Sequence, residues 1–111
     1  MIAIIDYRAG NLTSVKLAFD TLKATAEITS DPKRILAAER VVFPGVGAAG
    51  SAMRNLGELK LAGVIREVVA RGTPFLGICL GTQIIFERTE EDGGTQGLGL
   101  VPGSVKLFRP S

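Results

Sequence analysis

Pro74-Phe75-Leu76-Gly77-Ile78 is a short apolar run that leads into Cys79-Leu80-Gly81, and Gln83-Ile84-Ile85-Phe86-Glu87-Arg88 follows as a helix-like segment. Strand, G-x-C-x-G, helix is the layout of a nucleophile elbow. The chain reverses so tightly there that the positions flanking the nucleophile tolerate almost no side chain, hence Gly77 and Gly81. The turn lifts the sulfur off the sheet and sets it near the first turn of the next helix, where unpaired backbone N–H groups favour a thiolate and supply donors for an oxyanion. Cys79 is therefore a candidate nucleophile. The competing reading is a small buried hydrophobe, the commonest fate of a lone cysteine. Two glycines at fixed offsets between strand and helix favour the nucleophile.

The chain has 111 residues, enough for one domain with a real core and no more. With 46% hydrophobic and 22% charged residues its composition is that of a globular protein. The apolar start Ile2-Ala3-Ile4-Ile5 is cut off by Asp6 and lacks a basic leader, so it is expected to be a buried strand, not a signal peptide or a membrane span. The net charge is +2, with bases and acids interspersed from Arg8 to Arg109 and no aromatic-interleaved basic stripe, which argues against nucleic acid as a partner. One cysteine excludes an internal disulfide, and the lack of any histidine argues against a metal site. Both fit a reducing cytoplasm. The missing histidine also removes the imidazole that a cysteine nucleophile usually needs to take and return a proton.

Working outward from the elbow, residues 2–5 read as a first strand, followed by the loop Asp6-Tyr7-Arg8-Ala9-Gly10. Asn11 is placed to cap a helix whose apolar positions are Leu12, Val15, Phe19 and Leu22. A short strand around Ala26-Glu27-Ile28 precedes Asp31-Pro32, a cap followed by a proline in the first turn, opening a brief helix to about Ala38. Val41-Val42-Phe43 is a third strand, running into Pro44-Gly45-Val46-Gly47-Ala48-Ala49-Gly50, a glycine loop able to bring its backbone close to a ligand or to serve as a plain turn. Helices are expected over residues 51–58 and 59–71, the second with Leu61, Val64, Ile65, Val68 and Val69 on one face and Gly72 as its stop. Residues 90–97 read as a polar loop and residues 104–108 as a last strand.

This alternation predicts an α/β fold, a flavodoxin-like and mainly parallel sheet with helices on both faces. Ligands bind beyond the carboxyl ends of such strands, where the loops 6–11, 44–50 and 77–81 converge. The segment Gly45 to Gly50 matches G-x-G-x-x-G, but it follows the third strand and no acidic residue stands about 20 positions later at a strand end. A dinucleotide is therefore disfavoured, and no cofactor is expected.

At these residues the chain resembles the class I, triad-type glutamine amidotransferases, and within them the glutaminase subunits of imidazole glycerol phosphate synthases. The resemblance rests on Asp6-Tyr7, Gly10-Asn11-Leu12 with Ser14-Val15, Pro44-Gly45-Val46-Gly47, Gly77 to Gly81 with Gln83, and Gly97-Leu98-Gly99-Leu100-Val101-Pro102-Gly103. It implies that Cys79 attacks the side-chain amide of glutamine, releasing ammonia and leaving a glutamyl thioester. It implies that the N–H groups of Leu80 and, after a peptide reorientation, of Gly47 hold the oxyanion. It implies that Gly45, Gln83 and Glu91 help hold glutamine, Glu91 through the α-amino group. Asn11 is implied to face a barrel synthase subunit that receives the ammonia in histidine biosynthesis. Members of the family run to roughly twice this length, so residues 1–111 are read as the N-terminal portion of a single domain, without the histidine and glutamate of the triad and inactive alone. Thr82 stands where these subunits carry methionine, and Ala49 where a larger aromatic residue is frequent. Two alternatives remain: an amidotransferase subunit of another pathway, against which Thr82 counts because many of those relatives carry histidine there, and a non-catalytic, partner-binding fragment.

Overall fold

Strand and helix alternate from the first residues in the computed structural model, which describes residues 1–8 and 10–108. Ala9, inside the expected loop 6–11, and residues 109–111 lie outside the described residues. The order is β1 (Ile2–Ile5), α1 (Leu12–Thr21), β2 (Ala26–Thr29), α2 (Pro32–Ala37), β3 (Arg40–Phe43), α3 (Ala49–Glu58), α4 (Ala62–Ala70), β4 (Phe75–Gly77) and α5 (Leu80–Ile84). After these come β5 (Phe86–Thr89), a 3₁₀ turn (Glu91–Gly93), β6 (Thr95–Gln96) and β7 (Val101–Val105).

The first four strands form one sheet in the order β2-β1-β3-β4, every pair parallel, with Ile4 opposite Ile28 and Val42, and Val42 opposite Leu76. The period-two alternation of a strand sends successive side chains to opposite faces. Ala3, Ile5, Val41 and Phe43 pack with Ile35, Leu56, Leu61, Ile65 and Val68 of the α2–α4 side, the main core. Ile4, Ala26 and Val42 turn the other way, toward Leu12, Val15 and Phe19 on α1. Both faces thus carry helices, as the alternation predicts. The α2 start is also as expected: the Asp31 carboxylate accepts the Lys33 N–H at 3.0 Å, with Pro32 in the first turn.

Five expectations are corrected. Residues 83–88 are not one helix, because α5 ends at Ile84 and Phe86–Thr89 is a strand. The reason lies downstream. The N–H groups of Leu98 and Gly99 take the carbonyls of Ile84 and Phe86, and those of Leu100 and Val101 both take Ile85, so the segment wraps α5 and β5 and uses up the carbonyls a longer helix would need. β5 centres a second, three-stranded sheet, antiparallel to β6 and parallel to β7. The polar loop 90–97 therefore contains a turn and a strand, and the last strand is Val101–Val105, three residues earlier than expected.

The helix expected over 59–71 begins only at Ala62. Lys60 (φ 58°) turns left-handed, its N–H bonding Gly57 O at 3.1 Å while the Leu61 N–H bonds Leu56 O at 2.9 Å. This is a Schellman ending for α3. Finally, Asn11 sits at the cap position of α1 but with φ 66° and no side-chain cap bond, so its side chain does not do the capping expected of it.

Candidate functional site

Cys79 stands between β4 and α5 with φ 55° and ψ −117°, and its side chain is exposed. Such a conformation is rare for a residue with a side chain and persists only where neighbours impose it. The flanking glycines show how tight the turn is. A Cβ on Gly81 would lie 2.0 Å from Phe43 O, and one on Gly77 would lie 3.2 Å from the backbone of Gly81 and Thr82. Contact thus requires glycine at 81 and leaves a side chain at 77 little room, in keeping with the elbow pattern.

What imposes the turn is the segment leaving β3. The Ile78 N–H bonds Phe43 O at 3.0 Å and the Leu80 N–H bonds Gly45 O at 3.2 Å, so the two amides flanking Cys79 rest on alternate carbonyls of one neighbouring stretch. The carbonyl between them, Pro44 O, points the other way and accepts the Tyr7 hydroxyl. Tyr7 is buried, and its ring lies 4.9 Å from that of Phe43. Burial pushes its phenol pKa above the ordinary value. Gly45 is buried under this contact: a Cβ there would meet the Tyr7 hydroxyl oxygen at 1.9 Å. On the far side of the elbow the Thr82 hydroxyl donates to Gly77 O at 3.0 Å, tying the first turn of α5 back to β4.

Of the predicted site residues, Gly47 and Leu80 line one cavity and Gln83 and Glu91 another, while Cys79 and Gly45 line neither of these two. Gly47, exposed and at φ 108°, lines a cavity of ≈ 240 Å³ with Tyr7, Arg8, Val46, Asn55 and Leu80. Gln83 and Glu91 meet in a second cavity of ≈ 300 Å³ with Thr89 and Lys106. Helix α5 joins the two, with Leu80 on the first cavity and Gln83 on the second. Leu80 N–H, expected as an oxyanion donor, is here engaged by Gly45 O. Asn11 is exposed at the carboxyl end of the sheet, after β1. Arg8 pairs with Glu58 across the loop, an exposed contact of small energetic weight. Among the described residues no group of His, Cys, Asp and Glu could hold a metal ion, and no helix is long and apolar enough to cross a membrane.

Tyr7 and Thr82 were not singled out by sequence reasoning for these bonds. Thr82 drew notice only for standing where relatives carry methionine or histidine. Tyr7 carried a usable signal, being the chain's one tyrosine and standing just past a buried strand.

Residues 3–100 match the family model described as glutamine amidotransferase class-I. The imidazole glycerol phosphate synthase subunit HisH of Herpetosiphon aurantiacus is 50% identical over 108 residues, which are 97% of this chain and 51% of that protein. The same-named subunit of Moorella thermoacetica is 54% identical over 105 residues, 95% and 50% of the two chains. The chain spans about half the length of the curated relatives it matches. Among solved structures, a glutamine amidotransferase superposes with a TM-score of 0.79 at 18% identity, over 96% of this chain and 56% of the other. A putative peptidase E protein from Listeria monocytogenes gives 0.67 at 15%, over 78% and 50%. These two likenesses speak for the fold alone. The family match runs from β1 past the elbow and takes in the glycine loop that holds it, so the chain belongs to the class I glutamine amidotransferase family.

Proposed function

We propose that residues 1–111 are the nucleophile-bearing portion of a glutaminase subunit of imidazole glycerol phosphate synthase. The observation that carries this reading is the exposed Cys79 held at a strained elbow, with its own flanking amides bonded to the Phe43–Gly45 stretch. In this reaction Cys79 Sγ attacks the carboxamide carbon of glutamine, and the carbonyl π pair moves onto oxygen. Leu80 N–H, released by Gly45 O, and Gly47 N–H stabilise that oxyanion. The carbon–nitrogen bond then breaks as the nitrogen is protonated and leaves as ammonia, giving a glutamyl thioester that water hydrolyses to glutamate. Gln83 and Glu91 share a cavity of substrate size, and the Glu91 carboxylate suits the α-ammonium of glutamine. Asn11, exposed beyond β1, faces a barrel synthase subunit that takes the ammonia, in a cytoplasmic heterodimer of histidine biosynthesis.

The chain contains no histidine, so the group that takes the Cys79 thiol proton, hands it to the leaving nitrogen and then activates water as a base comes from outside these residues. Proton transfer of this kind is worth roughly 10²–10⁴-fold, and a carboxylate with an ordinary pKa near ~4 is a poor substitute at neutral pH. The test is glutamate release from glutamine by the 111-residue chain alone, with the barrel subunit, and as a fusion carrying the second half of a relative. Turnover is expected only in the fusion with its partner, and it disappears in Cys79→Ala. Equal turnover by chain and fusion sinks the division of labour. No turnover in any form sinks the glutaminase reading.

A further inference from the structure

Three consecutive carbonyls after β3 are all spoken for: Phe43 O by the Ile78 N–H, Pro44 O by the Tyr7 hydroxyl and Gly45 O by the Leu80 N–H. The two backbone bonds are not equal. At 3.0 Å the Phe43–Ile78 bond has ordinary length, whereas 3.2 Å puts the Gly45–Leu80 bond at the long end of the range. The second is the one that opens if Leu80 N–H is to meet any other acceptor. The side chain that hydrogen-bonds the stretch between them is that of Tyr7. The Tyr7 ring packs at a tilt against Phe43 and its hydroxyl fills the space where a Cβ on Gly45 would sit.

We infer that Tyr7 is a positioning residue, whose hydroxyl, by holding Pro44 O, sets how firmly the Gly45 carbonyl occupies the Leu80 N–H beside Cys79. The inference deepens the proposed function, since it rests on Leu80 N–H being an oxyanion donor. A hydroxyl that merely satisfied itself in the core would stabilise the whole fold. The contact seen here acts on one peptide, because successive peptides of an extended stretch turn their carbonyls to alternate sides. Release of Pro44 O frees the next peptide to rotate, while the Phe43–Ile78 bond keeps the elbow anchored.

Tyr7→Phe keeps the ring and its contact with Phe43 and deletes only the hydroxyl. Amide hydrogen exchange, read residue by residue by NMR on the 111-residue chain and on this variant, tests the inference without any activity. The Leu80 amide is expected to exchange about five- to tenfold faster in Tyr7→Phe, the factor a single neutral hydrogen bond typically supplies, with Ile78 and the amides of β1 and β3 unchanged. Uniform acceleration of all amides means a general stability role and overturns the inference, as does an unchanged Leu80. Absent protection of β1 in the parent chain overturns the arrangement itself. If Tyr7→Phe folds poorly, Gly45→Ala supplies a second measurement. A methyl on Gly45 displaces the Tyr7 hydroxyl, so the Leu80 amide of this single variant is expected to exchange faster with Ile78 unchanged, and an unchanged Leu80 counts against the contact.

A functional arm separates this inference from the glutaminase reading. Labelling of Cys79 by a diazo-ketone analogue of glutamine, divided by its labelling with iodoacetamide, rises in Tyr7→Phe by the factor seen at Leu80, because both report the open donor. An unchanged ratio overturns the link from Tyr7 to the oxyanion site. A parent chain that reacts with iodoacetamide but never with the analogue counts against the glutaminase reading, and leaves the Leu80 exchange to decide the positioning role.

Discussion

Cys79 combines exposure with a backbone conformation that costs on the order of 1–3 kcal/mol for a residue bearing a side chain. Two outcomes follow at this one position. An electrophilic glutamine analogue modifies Cys79 and no other residue, so intact-mass analysis finds one adduct on the parent and none on Cys79→Ala; equal modification of both would remove the assignment. Cys79→Gly, which accepts a positive φ freely, unfolds at a higher temperature than Cys79→Ala, by about 1 kcal/mol at the midpoint. Tyr7 gives a third outcome. Burial raises its pKa above the ordinary 10.0, so the folded chain holds the phenolic proton more tightly than the unfolded chain does. Stability from this group is therefore complete below pH 10.0 and declines as pH rises beyond it. With one tyrosine and no tryptophan in the chain, tyrosinate absorbance follows Tyr7 directly. It is expected to appear together with loss of far-ultraviolet circular dichroism, and a phenol that ionises at its ordinary pKa in a folded chain would contradict the burial.

At the scale of elements, three helices end in the same way and only one advertises it. Past α1, α3 and α4 the left-handed residue is Lys23, Lys60 and Gly72 respectively, each followed by the crossed pair of N–H bonds of a Schellman turn. Gly72 was legible as a stop because glycine favours that conformation; a lysine does not announce it, which is why the start of α4 was read three residues too early. The two lysines carry strain that glycine lacks, partly offset by the chain entropy glycine loses on folding. Lys60→Gly is expected to stabilise the chain by about 0.5–1 kcal/mol, read as a higher unfolding temperature. A lower one would mean that the aliphatic part of Lys60 contributes more than its backbone costs. The wrap around β5 is tested in the opposite direction. A Cβ on Gly97 would lie 2.3 Å from Phe86 O and 2.8 Å from Ile84 O, both backbone atoms with little room to move. Gly97→Ala therefore destabilises by roughly 1–3 kcal/mol, and a neutral result would show that the segment sits farther from β5.

At the scale of the molecule the two faces of the parallel sheet are unequally covered. The α2–α4 side buries most of the core, while α1 alone covers the other, leaving Leu76 on β4 54% exposed beside a groove lined by Phe19, Val42 and Pro74. Among the described residues β4 pairs on one side only, so its other edge presents backbone groups to solvent. An open edge beside an apolar face favours association. The 111-residue chain is expected to self-associate as concentration rises, measured by size-exclusion chromatography with light scattering. A monomer that stays monomeric across the series and unfolds cooperatively would show that this face is self-sufficient.

The parallel α/β order, the four core strands and the elbow can be read from the residues alone, because each is written in local terms: hydrophobic period, turn glycines, a cap at Asp31. The second sheet cannot be read in this way. Whether residues 86–89 continue a helix or form a strand depends on the Gly97–Val101 segment reaching back for their carbonyls, a contact between stretches that local propensity does not encode. The candidate site divides in the same way. Cys79 and its two glycines were legible because the elbow needs them at fixed positions within five residues. Tyr7 lies 72 positions before Cys79 and acts on it through Pro44 and Gly45, so only the packing of β1 beside β3 brought its hydroxyl under the loop.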